Sequence, residues 1–379
     1  MNILAIESSC DETAAAIISG DPFSPSPKPT LLSNVVVSQI DIFKAYGGVI
    51  PEVAARSHLE AILPVIHEAT SAASKNSSEF HTRAAHDPWD AIDAIAVTHT
   101  PGLLGSLLVG TLTARTLAIL HNKPLYAVHH LKSHIYANWL TDKPLPTFPL
   151  LALVVSGGHT QIIYMQEHNH FEIIGTTRDD AVGECFDKVA KILGLPYPGG
   201  PAITNAANGK ITLSDASSTI TTTPGNPNKY HLPHPKIDGL DFSFSGLKTA
   251  VLRAVQKNCN VPINYPSHEL KSLLTPTQIA DFSASFEQTA VDILLDKLEQ
   301  AKISHHTNNI VIAGGVSANQ RLRETAKNRF PTENLFFPEP RFSGDNAAMV
   351  GAAAFYEIAK KVKPTDPYKL NIMPRSEIS

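Results

Sequence analysis

Apolar and polar positions alternate in blocks that predict an ordered series of strands and helices. Residues 3–6 and 14–18 are apolar and flank a polar, acidic segment, which predicts a buried hairpin with a charged tip. Residues 32–40 predict a third strand. A helix is expected over 51–68, and the next strand over 92–98.

The same opening occurs again in the second half of the chain. Residues 150–155, 160–165 and 171–175 predict strand, turn, strand and strand. Helices near 267–273 and 277–302 precede a strand at 309–313. This is a repeat of architecture and not a short-period solenoid. Two similar α/β halves predict a cleft between them, where ligands commonly bind.

Several segments predict how helices and loops lie on this framework. The alanine-rich segment 346–362 predicts a last helix that packs closely on a sheet. The prolines in 21–30 and the Thr, Pro, Asn and Gly residues in 206–240 predict surface loops. The helix over 51–68 is expected to be kinked at Pro64. Its apolar side, expected to face the core, comprises Val53, Leu59, Ile62, Leu63 and Ile66.

Composition and charge exclude several classes of protein. The 379 residues are 43% apolar and 17% charged, enough for two folded domains. The net charge of −4 gives no overall attraction to nucleic acid, although a basic patch or a second subunit can contact phosphates. Three cysteines without a Cys-x2-Cys pair are typical of a reducing compartment. The apolar runs are too short to span a bilayer, and a strand begins at Asn2, so we expect no leader and a cytoplasmic protein.

His130 and His134 form the most informative local pattern. Their i, i+4 spacing places both rings on one face of a helix, close enough to bind one metal ion. Zinc peptidases with this spacing need a glutamate after the first histidine, where this chain has Leu131. Neutral imidazoles suit zinc, iron or copper. The alternative is that the histidines simply pack on the helix.

Two glycine turns are candidate ligand-binding elements. Gly157 and Gly158 lie between two predicted strands, where exposed amides can bind phosphate, or where they form an ordinary tight hairpin. The turn at 314–315 lies between a strand and a helix that Ser317 or Asn319 can cap. Neither turn matches a dinucleotide or Walker fingerprint.

Acidic residues before predicted helices have two interpretations. Asp345 is either the N-cap of the last helix or the carboxylate of a two-histidine, one-carboxylate metal site, which favours iron(II) over closed zinc geometry. Asp179 and Asp180 are expected to cap the helix that follows them.

Together these segments resemble one family, the bacterial tRNA N6-adenosine threonylcarbamoyltransferases, formerly called O-sialoglycoprotein endopeptidases. The resemblance covers almost the whole chain in a fixed order. It implies an α/β, actin-like (sugar-kinase-like) two-lobed ATPase fold with duplicated mixed sheets and an interlobe cleft. The matching segments are IESSCDET (6–13), GGVIPEVAARSH (47–58), TPGLLGSLLVG (100–110), HHLKSH (129–134), VVSGGHTQ (154–161), DDAVGECFDKVAK (179–191), YPGGP (197–201), FSFSGLKTA (242–250), IAGGVSAN (312–319) and SGDNAAM (343–349).

The resemblance also implies the two lobes and the residues of the site. One lobe comprises 1–147 with the C-terminal helix at about 346–365, and the other comprises 148–345 with a helical insertion and the long loop at about 206–240. Thr204 departs from the family pattern, since many relatives carry an acid there, so that contact is in doubt. The implied metal ligands are His130, His134 and Asp345, and the implied substrate-binding residues are Val154, Val155, Ser156, Gly157, Gly158, Asp187, Gly200 and Asn319.

The implied reaction transfers a threonylcarbamoyl group from threonylcarbamoyl-AMP to N6 of the adenosine 3′ of the anticodon, in tRNAs that read codons starting with A. One divalent metal per subunit is expected, iron(II) ahead of zinc. Asp11, Glu12 and His159 are candidate bases. Rival interpretations are a kinase or ATPase on the same fold, a non-catalytic scaffold and, least favoured, a metalloprotease.

The resemblance further implies protein partners. Bacterial members work with a shortened paralogue (TsaB-like) and a small ATPase (TsaE-like). A homodimer is an alternative assembly, and no membrane partner is expected.

Overall fold

The computed structural model describes residues 1–214, 218–235 and 237–378. Its strands form two five-stranded sheets, one in each half of the chain, and a small two-stranded sheet. The predicted strands at 150–155, 160–165 and 309–313 have the predicted bounds. The strands are β1 (Asn2–Glu7), β2 (Glu12–Ser19), β3 (Thr30–Ser38), β4 (Ala94–Thr100), β5 (Leu125–His129), β6 (Leu150–Val155), β7 (Thr160–Met165), β8 (Phe171–Thr176), β9 (Lys210–Thr212), β10 (Thr219–Thr221), β11 (Asn309–Ala313) and β12 (Asn334–Phe336).

The two large sheets have the same topology. The first has the order β3-β2-β1-β4-β5, and the second has the order β12-β11-β6-β7-β8. In each, the first strand pairs antiparallel with the strand that follows it in sequence and parallel with a later strand. The predicted repeat is therefore confirmed, and with it the actin-like α/β class.

Eleven α-helices of the described residues flank and join these sheets. The predicted segment 267–273 is a 3₁₀ helix with those bounds. The α-helices are α1 (Ile40–Lys44), α2 (Pro51–Asn76), α3 (Ser78–Arg83), α4 (Leu104–Leu120), α5 (His130–Tyr136), α6 (Val182–Ile192), α7 (Gly199–Ala207), α8 (Ser245–Asn258), α9 (Pro276–His305), α10 (Gln320–Arg329) and α11 (Ala347–Ala359).

The helix α11 is the predicted small-residue helix and packs on the first sheet. It contacts β1, β2 and α5, and its alanines share one hydrophobic core with residues of both sheets. Gly351 is required there, because a Cβ would collide with Ile18 of β2. Glu357 is buried in the same helix. Burial raises the pKa of its carboxyl to about 7, although the charge of Lys132 acts in the opposite direction.

The buried side of α2 differs from the prediction. Ile62 and Ile66 are buried, but Leu59 is 67% exposed and Leu63 is 62% exposed. The prediction for these two leucines was wrong, because the buried side is completed by small residues and by His58 instead. The helix continues through Pro64 to Asn76. The neighbouring α4 also exposes leucines, and we call Leu59, Leu63, Leu104, Leu108 and Leu112 the leucine face.

The described residues of the segment 206–240 do not form a simple surface loop. The segment contains the two-stranded β9–β10 sheet, and Ile211 and Leu232 are buried in the core of the second half. Residues 215–217 and 236 of this predicted loop lie outside the described residues. Across the ranges that the structure describes, no helix combines the length and apolar character needed to cross a membrane.

Candidate functional site

A cleft of about 970 Å³ lies at the carboxyl ends of β1 and β6, where the turns of both duplicated hairpins meet. Most of the residues implied by sequence line it. Three do not: Val154 and Val155 are buried in β6, and His134 is buried beneath the cleft wall. The residues that do line it are Asp11, Glu12, His130, Ser156, Gly157, Gly158, His159, Asp187, Gly200, Asn319 and Asp345.

The two histidines and Asp345 converge on one point. His130 and His134 are on α5, which begins directly after β5, and their Nε2 atoms are 3.2 Å apart. Asp345 Oδ1 lies 3.4 Å from Nε2 of His130 and 3.2 Å from Nε2 of His134. The predicted common face is confirmed, and these three donor atoms form a candidate metal site.

Glu7 orients the first histidine and was not predicted from the sequence. Its Oε2 lies 3.1 Å from Nδ1 of His130 and also accepts a hydrogen bond from Thr98. The backbone amide of Ser9 donates to Oε1 over 2.6 Å. Because the carboxylate accepts the proton on Nδ1, Nε2 is free to face Asp345. The available signal was an acid directly after the apolar run 3–6 of β1.

Electrostatic interactions shift the pKa values of His130 and Asp345 in opposite directions. Burial lowers the pKa of His130, but the carboxylates of Asp345 and Glu7 outweigh burial and raise it to about 9. Burial raises the pKa of Asp345, yet the two imidazoles bring it down to about 2. The site therefore stabilises positive charge beside Asp345.

The donor set fits a divalent transition metal. Two imidazole nitrogens and one carboxylate oxygen suit iron or zinc and leave coordination positions open toward the cleft. Nδ1 of His134 is buried and has no hydrogen-bond partner, so packing rather than a second acceptor holds that ring.

Asp345 does not cap the last helix. The N-cap of α11 is Asn346, whose side chain accepts from the amide of Met349 over 3.1 Å. The capping interpretation of Asp345 was wrong, because the neighbouring residue performs that role and leaves the carboxylate free to face the histidines. Asp179 likewise caps another helix than expected: it accepts from the amides of Phe244 and Ser245, at the start of α8.

The acidic turn after β1 forms one wall of the cleft. Burial, followed by the charges of Asp345 and Asp11, raises the pKa of Glu12 to about 10. The turn is anchored by His58, whose Nε2 lies 3.0 Å from the carbonyl oxygen of Cys10. Across the cleft, burial and the charges of the two metal-site histidines lower the pKa of His159 to about 4.

The glycine turns form the opposite wall. Gly157 and Gly158 have open space where a Cβ would lie, as does Gly200, so a ligand can approach their backbone closely. Gly314 has φ +89° and packs on the backbone of Val155. Asn319 caps α10, as predicted for it, by accepting from the amide of Leu322.

Asp187 holds the glycine-rich start of α7. It accepts a hydrogen bond from the amide of Gly199 over 2.6 Å, and burial raises its pKa to about 6. A second unpredicted carboxylate, Glu287 of α9, lies behind the wall and contacts Thr204 and Asn319. An acid inside a long helix gives no sequence signal of this kind.

The comparisons agree with this architecture. A family model for tRNA N6-adenosine threonylcarbamoyltransferase matches residues 30–352. The protein of that name from Symbiobacterium thermophilum is 44% identical, over 93% of this chain and 91% of its own length. The one from Clostridium novyi is 42% identical, over 100% of this chain and 98% of its own length. T. kodakarensis HypF shares 12% identity and a TM-score of 0.50, covers 95% of this chain and 48% of its own, and supports the fold alone.

Proposed function

This chain belongs to the tRNA N6-adenosine threonylcarbamoyltransferase family, and on that premise we propose that it transfers a threonylcarbamoyl group from threonylcarbamoyl-AMP to N6 of the adenosine 3′ of the anticodon, in tRNAs that read codons starting with A. The products are the modified adenosine and AMP. One observation carries this proposal. A single cleft brings a buried His-His-Asp cluster together with glycine turns that are open to a ligand.

The chemistry asks mainly for positioning. The donor is a mixed anhydride, so AMP is a good leaving group, and the protein has to hold donor and acceptor in contact. The open amides of Gly157 and Gly158 are suited to the phosphate of the adenylate. The further residues proposed to bind the substrate are Ser156, Asp187, Gly200 and Asn319, which line the cleft, with Val154 and Val155 of β6 directly behind them.

We propose that His130, His134 and Asp345 hold one divalent metal per subunit, iron(II) in preference to zinc. When bound, such an ion supplies Lewis-acid polarisation of a carbonyl or phosphate oxygen. Glu7 keeps Nε2 of His130 directed toward it.

The three candidate bases, Asp11, Glu12 and His159, all line the cleft. Burial and the charges of Asp345 and Asp11 raise the pKa of Glu12, which favours its protonated form. The low pKa of His159, about 4, makes it a weak base. One of these three groups would accept the proton that leaves the adenine amine.

The partners are tRNA and, in the bacterial arrangement, the shortened paralogue and the small ATPase. The leucine face supports a protein partner, because several large apolar side chains are exposed on two packed helices. A homodimer is the alternative occupant of that face. We propose a cytoplasmic location, which the tRNA substrate supports. We propose lobes of 1–147 with 346–365, and 148–345, supported by the packing of α11 on the first sheet.

The test combines unmodified tRNA, threonylcarbamoyl-AMP and the purified chain, with and without the two partners. Nucleoside mass spectrometry should detect threonylcarbamoyladenosine. His134→Ala should lose both bound metal and product. Product formed at full rate by a metal-free His134→Ala chain would contradict the metal site, and absence of product under every partner set would contradict the transferase.

A further inference from the structure

A buried carboxylate stands directly behind the cleft wall formed by Thr204 and Asn319. Glu287 is 1% exposed and is on α9. Its Oε1 accepts hydrogen bonds from Oγ1 of Thr204 over 2.6 Å and from Nδ2 of Asn319 over 2.7 Å. Its Oε2 pairs with Nε of Arg321 over 3.0 Å. A buried charge is costly unless every oxygen is paired, and here both oxygens are paired.

These contacts fix the direction of each hydrogen bond. A carboxylate only accepts, so the hydroxyl proton of Thr204 must point away from the cleft, toward Glu287. Asn319 donates its two amide protons to Glu287 and to Oγ1 of Thr204, the latter over 3.1 Å. Its Oδ1 accepts from the amide of Leu322. All polar side-chain protons of Thr204 and Asn319 are therefore used, and these two residues can only accept further hydrogen bonds, on Oγ1 of Thr204 and Oδ1 of Asn319.

A wall that offers lone pairs selects for a ligand group that donates hydrogen bonds. Thr204 and Asn319 both line the cleft, beside the turn that contains Gly315. In a nucleotide whose phosphate is bound by backbone amides, the adjacent donors are the ribose hydroxyls. Resting on the function proposed above, we propose that Glu287 is a positioning residue that holds Thr204 and Asn319 as acceptors for the ribose diol of the adenylate.

A second, more exposed ion pair joins the same two helices away from the cleft and serves as a control for the pair of Glu287 and Arg321. Glu299 and Arg329 also join α9 to α10, with Oε2 of Glu299 2.5 Å from Nη2 of Arg329. Neither residue lines the cleft. Glu299→Gln therefore removes the same kind of ion pair between the same two helices and leaves the hydrogen bonds of Thr204 unchanged.

The experiment measures binding of AMP and of 2′,3′-dideoxy-AMP by isothermal titration to the full chain. Two hydrogen bonds from the diol should give the wild-type chain about ten-fold preference for AMP. Glu287→Gln allows the Thr204 hydroxyl to reverse, so the preference should fall below about three-fold. Thr204→Val, which keeps the shape but removes the acceptor, should do the same. Glu299→Gln should retain the wild-type preference.

A purely structural role for Glu287 predicts a different result. Affinity for both nucleotides would then fall together, the preference would be unchanged, and the inference would be overturned. Wild-type preference in Thr204→Val would overturn it too, even if Glu287→Gln does not fold. A wild-type chain that binds neither nucleotide would contradict the proposed substrate site itself. Wild-type binding of AMP without preference would contradict this inference and leave that site standing.

Discussion

Replacing Glu7 with glutamine should weaken metal binding through a group that does not touch the metal. Three donors converge on this fully buried carboxylate: the Ser9 amide on Oε1, and Thr98 and Nδ1 of His130 on Oε2. Glutamine has one acceptor oxygen, so its NH₂ group must face either the amide or the imidazole N–H. In both orientations a buried donor loses its acceptor, which costs about 1–3 kcal/mol.

The expected result is a metal affinity about 10–100-fold lower, the usual effect of removing the acceptor behind a ligating histidine. That factor corresponds to roughly 1.4–2.8 kcal/mol, within the range worked from the lost hydrogen bond. The assay is competition for Zn²⁺ with a chromophoric chelator at fixed pH, with Glu299→Gln as the control. Wild-type zinc affinity in folded Glu7→Gln would refute the argument that Glu7 fixes the ring.

Contacts away from the metal ligands give three more tests. Asp179→Ala removes the cap of α8, so urea denaturation should show a loss of about 1–2 kcal/mol; an unchanged midpoint would contradict capping. Burial raises the pKa of Glu357 from 4.5 to about 7, so the contribution of this one group to the free energy of unfolding is greatest below pH 4.5 and falls by roughly 3 kcal/mol up to pH 7. Glu357→Gln should remove this loss, so the difference between its urea midpoint and that of the wild type should increase in favour of the variant from pH 5 to pH 8. If the two midpoints change with pH by the same amount, the prediction is contradicted. Leu59→Ser with Leu63→Ser should abolish co-elution with the shortened paralogue without changing the circular dichroism spectrum, and retained co-elution would exclude the leucine face as that surface.

Many of the strands could be predicted because a buried strand appears in the sequence as a short, continuous apolar segment. The strand at 150–155 is apolar throughout and buried throughout, and its bounds were predicted correctly. The pattern on α2 was less informative. Leucine is apolar whether it faces the core or a partner, and the buried side of this helix includes His58 and small residues. Periodicity alone therefore assigned Leu59 and Leu63 to the wrong side.

The site was predictable where spacing carried the geometry. His130 and His134 share a helix, so i, i+4 spacing was enough to bring them together. Asp345 is remote from both histidines in sequence and lies beside them only in the folded chain. Family resemblance, and not spacing, was therefore the basis for predicting that the three residues form one site. Glu7 and Glu287 act through hydrogen bonds to other side chains. Their roles depend on distances between segments that are remote in sequence, and no local pattern encodes those distances.

The repeated hairpin gives the cleft a direction. Its two walls are built from two versions of one structural unit, the turn after β1 and the turn after β6. Two identical turns would present the same charge to both ends of a ligand. These two have diverged: the first contains Asp11 and Glu12, and the second contains Gly157, Gly158 and no acid. A ligand with an anionic end and an N–H-bearing end consequently has one favoured orientation, with the anion against the glycine amides and the amine against the acidic side chains.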